Sequence, residues 1–70
     1  MNIKDVFSSN LIKYRKLKGY SQVKLAELTG LHRTYISDVE LKKRSISLRN
    51  IQKIADALEI PCHVLFLEKL

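Results

Sequence analysis

One cysteine, two glycines and one proline are all that this 70-residue chain holds of those three types. A lone cysteine, Cys62, excludes an internal disulfide and is read as a structural thiol. With so little glycine and proline, long loops are excluded, and no linker, low-complexity segment or internal repeat interrupts the chain. There is no signal peptide and no apolar run of membrane-spanning length, so a cytoplasmic protein without a membrane partner is expected. A glycine-rich phosphate loop and a nucleophile with its base are also missing, and so short a chain forms no deep pocket, which argues against an enzyme. His32 stands far from Cys62 and His63, which leaves no metal-ligand spacing; no metal and no cofactor are expected.

What is present is basic charge and helical periodicity. Thirteen Lys and Arg against seven Asp and Glu give a net charge of +6, a footprint suited to a polyanion. The length fits one domain that buries only roughly 60% of its unfolded surface, so stability is modest and dimerisation would add core. Residues 21–41, SQVKLAELTGLHRTYISDVEL, read as a helix-turn-helix. Ser21 caps the first helix, and Leu25, Ala26 and Leu28 supply its apolar face. Gly30 suits a helix end that needs positive φ, because glycine has no Cβ to clash there, and Leu31 then re-enters the core. In the second helix Ile36 and Val39 face inward, which turns Thr34, Ser37 and Asp38 outward and leaves Arg33 at the exposed N-terminal end.

The flanks complete an all-α reading: a compact five-helix domain without strands. A first helix over about Asp5 to Lys18 carries Phe7, Leu11 and Tyr14 at helical spacing and stops before Gly19. Ser47 reads as the cap of a fourth helix whose apolar positions are Leu48, Ile51, Ile54, Ala55 and Leu58. Pro61 suits the start of a fifth, because its missing amide hydrogen would be unpaired there anyway, and Val64, Leu65 and Phe66 give that segment an apolar turn.

Three blocks, LIKYRKLKGYSQ (11–22), LAELTGLHRTYISDVE (25–40) and SLRNIQKIADALEIP (47–61), stand in the register of the Cro and phage-repressor type of helix-turn-helix regulators, and the chain resembles that family over nearly its whole length. The short length and the HRTYISDVE string resemble most the small controller proteins of restriction-modification genes. The resemblance implies a lambda-repressor-like fold and a double-stranded DNA operator as partner. It pairs Arg15 with Glu40 across the core; periodicity already turns Glu40 inward, where a carboxylate needs a cation, and a planar guanidinium can bind it at two points. It also matches Gln22 to a glutamine that holds a phosphate at a helix start, and Glu27 to a position that can touch RNA polymerase. Lys42 stands where many members have glycine, which implies a different turn or a strained positive φ, and His32 replaces the usual small cap.

Roles on DNA follow from side-chain chemistry. Arg33 presents paired donors that match the O6 and N7 acceptors of guanine; Thr34 and Ser37 can bond a base or a phosphate. Asp38 can accept from a cytosine amino group or orient Arg33 and exclude wrong bases; the orienting role is preferred. Lys42, Lys43 and Arg44 are assigned to the DNA backbone with Gln22, and Tyr35 to the backbone or to stacking at a deformed step. One recognition helix reads few base pairs, so a homodimer on a partly palindromic operator is expected. Its interface is sought in residues 61–70, at Phe66, Leu67 and Leu70. The rival reading is an interaction module, such as an antitoxin or a small helical adaptor, which has no reason to keep the polar face of Arg33, Thr34 and Ser37.

Overall fold

The computed structural model describes residues 2–68. Helix α1 (Ile3–Leu17) leads into α2 (Gln22–Thr29), α3 (Arg33–Glu40) and α4 (Leu48–Leu58), and a 3₁₀ turn over Cys62–Phe66 closes the chain. No strand occurs among the described residues.

Three of the four α-helices begin where a side chain satisfies their free amides. Asn2 Oδ1 accepts from the Lys4 and Asp5 amides at 3.0 and 3.4 Å, so α1 starts two residues before the expected Asp5. Asp5 in its first turn and Arg15 and Lys16 in its last complement the helix dipole. Ser21 Oγ accepts from the Lys24 amide at 3.0 Å and Ser47 Oγ from the Asn50 amide at 3.2 Å, capping α2 and α4. Only α3 opens without a side-chain cap, behind His32. The turn between α2 and α3 rests on Gly30, whose φ of 76° is costly for a residue with a Cβ.

The expected fifth α-helix is instead the 3₁₀ turn. Its closures run from the Val64 amide to the Pro61 carbonyl at 3.1 Å and from the Leu67 amide to the Val64 carbonyl at 3.3 Å. Five residues are too few to offset the nucleation cost of an α-helix, and the tighter i+3 spacing still delivers one buried side chain, Leu65.

The core is Phe7 and Leu11 from α1, Leu25 from α2, Ile36 and Val39 from α3, Ile51, Ile54, Ala55 and Leu58 from α4, and Leu65. Tyr14, Ala26 and Leu31 are half-buried against it. Two expected core positions lie outside. Leu28 is 46% exposed, because Thr29 takes the buried place beside Leu25 and donates to the Leu25 carbonyl at 2.8 Å. Leu48 is 85% exposed, because it is the first residue of α4 and precedes the turn that meets the core.

Polar side chains tie the elements together. Ser8 Oγ, buried in α1, donates to the Val39 carbonyl of α3 at 2.7 Å. Asn10 Nδ2 donates to the carbonyls of Leu65 and Leu67, both at 2.9 Å, and so clamps the 3₁₀ turn to α1. Among the described residues, every buried side-chain nitrogen and oxygen has a partner.

Candidate nucleic-acid interface

Helix α3 is held from beneath by an ionic network. Arg15 Nε donates to Glu40 Oε2 at 2.7 Å and Arg15 Nη2 to Glu40 Oε1 at 3.1 Å, a two-point pair whose side chains are 11% and 5% exposed. Arg15 Nη1 donates to the Tyr20 carbonyl at 2.9 Å, and Gln22 Nε2 to Glu40 Oε1 at 3.0 Å. The network therefore joins α1, the turn before α2, the first residue of α2 and the last of α3. A carboxylate at that depth is acceptable because three charge-matched or polar donors satisfy it.

On the outer side of α3, Arg33 and Thr34 are exposed, while Ser37 and Asp38 are half-buried. The first two therefore stand at the open N-terminal end of the helix, whereas the second pair lies partly under neighbouring side chains. Tyr35 is also half-buried. Its hydroxyl accepts a hydrogen bond from Asn50 Nδ2 at 3.0 Å, and the Arg44 guanidinium lies 4.9 Å from its ring centre, within cation–π range.

The basic run after α3 divides between two sides. Lys43 and Arg44 are exposed, with Arg44 laid over Tyr35. Lys42 has a φ of 64° and its ammonium reaches Asp5 on α1 at 3.1 Å, so part of its charge is directed at α1. Gln22, read from sequence as a phosphate holder, has its amide nitrogen engaged with Glu40; its backbone amide still opens α2. Glu27 is exposed on α2, beside a shallow depression lined by Val23, Leu31, His32 and Arg33.

At the other end of the chain Phe66 is half-buried, its ring 5.3 Å from that of Phe7, and it lines an apolar groove of about 270 Å³ with Ile3, Ile46, Leu48 and Ile51. Leu67 is 55% exposed. Leu70 lies outside the described residues. Cys62 is a free, half-buried thiol, and no cluster of metal-ligating side chains occurs among the described residues. No helix of the described residues is long and apolar enough to cross a membrane.

Sequence reasoning missed Asn50, Ser8 and Asn10. Their partners lie 15, 31 and 55 to 57 residues away, and an isolated Asn or Ser carries no periodic signal.

Comparison with known proteins gives a consistent result. A helix-turn-helix family description matches residues 11–65. The control protein C.SmaI of Serratia marcescens is 45% identical over 58 residues, covering 83% of this chain and 69% of that protein. The crystal structure of a hypothetical transcription factor from Neisseria superposes with a TM-score of 0.91 at 42% identity, over 94% of this chain and 76% of that one. The restriction-modification controller protein C.AhdI from Aeromonas hydrophila superposes with a TM-score of 0.87 at 44% identity, over 90% of this chain and 96% of that one.

Proposed function

The chain belongs to the helix-turn-helix family of DNA-binding transcriptional regulators, and from that premise we propose that it acts in the cytoplasm as a homodimer on a partly palindromic operator and controls restriction-modification genes, its own among them. The observation that carries the reading is the first turn of α3: Arg33 and Thr34 stand exposed, and the backbone-binding candidates Tyr35 and Arg44 are stacked beside them. A guanidinium held at a helix end can enter the major groove and bond guanine O6 and N7, while neighbouring donors engage phosphates. Thr34 and Ser37 add base or phosphate bonds, Asp38, which makes no ion pair with Arg33, accepts from a cytosine amino group or excludes wrong bases, and Gln22, Lys42 and Lys43 bind the backbone. The identity to C.SmaI and to C.AhdI supports the restriction-modification setting.

Dimerisation follows from the reading problem, since two half-sites roughly 34 Å apart multiply the discrimination of one short helix. The exposed Leu48, Ile3 and Leu67, with half-buried Phe66, support a second copy as the occupant of that apolar end. An activating contact between Glu27 and RNA polymerase is the remaining part of the proposal.

The test is selection of bound sequences from a random duplex pool at two salt concentrations, with wild type and Arg33→Ala. The expected outcome is a palindromic motif that loses a guanine preference in the variant, with a loss of about 1 to 3 kcal/mol at that base pair. Salt-sensitive binding without any motif would refute the specific reading and leave an interaction module with a basic surface.

A further inference from the structure

Asn50 has no place in the DNA-binding set described above, yet it fixes the hydroxyl end of Tyr35, whose ring packs against the core. It lies in the first turn of α4, where its backbone amide is capped by Ser47 Oγ at 3.2 Å and its neighbour Ile51 is buried in the core. From that rigid base its side-chain amide donates to the Tyr35 hydroxyl on α3 at 3.0 Å. Tyr35 in turn carries Arg44 on its ring at 4.9 Å. One chain of contacts thus runs from the core of α4, through the start of the recognition helix, to a guanidinium in the loop between the two helices.

We infer that Asn50 is a positioning residue for the DNA backbone, aligning the Tyr35 hydroxyl and the Arg44 guanidinium as a preformed pair of phosphate donors. The inference rests on the backbone role proposed above for Tyr35 and Arg44. The chemistry follows from the phenol's inventory of one donor and its lone pairs. With Asn50 donating into the oxygen, the phenolic hydrogen stays available for an outside acceptor, and a hydrogen bond received at the oxygen strengthens the one that it gives. Arg44 stacked on a ring that cannot swing loses less rotamer freedom when it meets a phosphate. The amide polarity is what matters: a carboxylate at position 50 would accept the phenolic hydrogen instead of leaving it free, and would add a negative charge close to the DNA.

The experiment measures binding of a fluorescent duplex carrying the selected operator, and of a scrambled duplex, over a salt series. It compares wild type, Asn50→Ala, Asn50→Asp, Tyr35→Phe and the Asn50→Ala/Tyr35→Phe double variant, with thermal unfolding of each as the folding control. Tyr35→Phe keeps the ring under Arg44 and removes the acceptor. The expected result for Asn50→Ala is a folded protein whose melting temperature falls by no more than about 8 °C, the cost of one hydrogen bond, and an operator affinity lower by about three- to tenfold. Its salt slope should be shallower by up to about 0.9, the signature of one lost phosphate contact that a merely structural role would not move. Asn50→Asp should bind more weakly than Asn50→Ala, and adding Asn50→Ala to Tyr35→Phe should change affinity by less than about twofold. Wild-type affinity in Asn50→Ala, or a full Asn50→Ala loss retained in the Tyr35→Phe background, would overturn the inference while specific wild-type binding left the operator reading standing. Equal wild-type binding to operator and scrambled duplex would overturn that reading and the inference with it.

Discussion

Removing Arg15 should cost this protein a large part of its stability. Arg15→Ala deletes two hydrogen bonds to Glu40 and one to the Tyr20 carbonyl, and leaves a carboxylate that is 5% exposed with Gln22 as its remaining partner. Breaking a buried pair by removing one partner typically costs about 3 to 5 kcal/mol, because the stranded charge keeps its desolvation penalty. At roughly 0.05 to 0.15 kcal/mol per residue the whole domain is worth only about 4 to 10 kcal/mol, so the variant should lose roughly a third or more of its stability. Urea denaturation followed by far-ultraviolet circular dichroism measures the loss directly. Replacing both residues by apolar side chains, Arg15→Met with Glu40→Met, should be less damaging than Arg15→Ala, because no charge is then left without a partner. That double variant should still bind DNA less well, because Gln22 and the end of α3 lose their common anchor. An Arg15→Ala protein within about 1 kcal/mol of wild type would refute the reasoning, since it would place the pair in the range of a solvated surface bridge.

Three further outcomes are expected. Lys42→Gly relieves a left-handed residue worth about 1 to 2 kcal/mol against glycine's extra entropy of about 0.5 to 1 kcal/mol, so the unfolding free energy from urea denaturation should rise by roughly 0.5 to 1 kcal/mol, and DNA binding should weaken because the phosphate contact proposed for Lys42 is lost. The Lys18–Glu59 hydrogen bond raises the Lys18 pKa and lowers that of Glu59. The Glu59 contribution is therefore present above the usual carboxylate value and lost as pH falls through its lowered one; the Lys18 contribution is present below the usual ammonium value and lost as pH rises through its raised one. Because both groups are solvated, Glu59→Gln should move the melting temperature far less than Arg15→Ala does at pH 7, and NMR titration should place the Glu59 carboxyl below ordinary glutamates. Leu48→Ser should leave the monomer's fold intact, since the side chain is 85% exposed, and weaken self-association in sedimentation experiments; a wild-type protein that is monomeric at high concentration would remove the dimer.

Much of the scaffold was legible from local chemistry. Ser21 and Ser47 as caps and Gly19 and Gly30 as helix stops are positions where one residue type answers one backbone need. The inward Glu40 followed from helical spacing, while its partner Arg15 came from the family register. Leu28 and Leu48 were misplaced because periodicity gives a helix face but not how far along the helix the neighbouring elements reach. Residues 62–66 were apolar enough to close the core, yet their number alone selected a 3₁₀ turn over an α-helix.

By itself, then, the sequence determined the order and approximate ends of the helices, the polar outer face of α3 and the basic charge beside it, because each depends on residues within one or two turns of one another. The tertiary structure decided the partners: Ser8 with the end of α3, Asn10 with the closing turn, Gln22 with Glu40, Lys42 with Asp5, and Asn50 with Tyr35 beneath Arg44. Those pairings depend on which helix faces meet, and a single polar side chain finds its acceptor only after apolar burial has brought the two helices together.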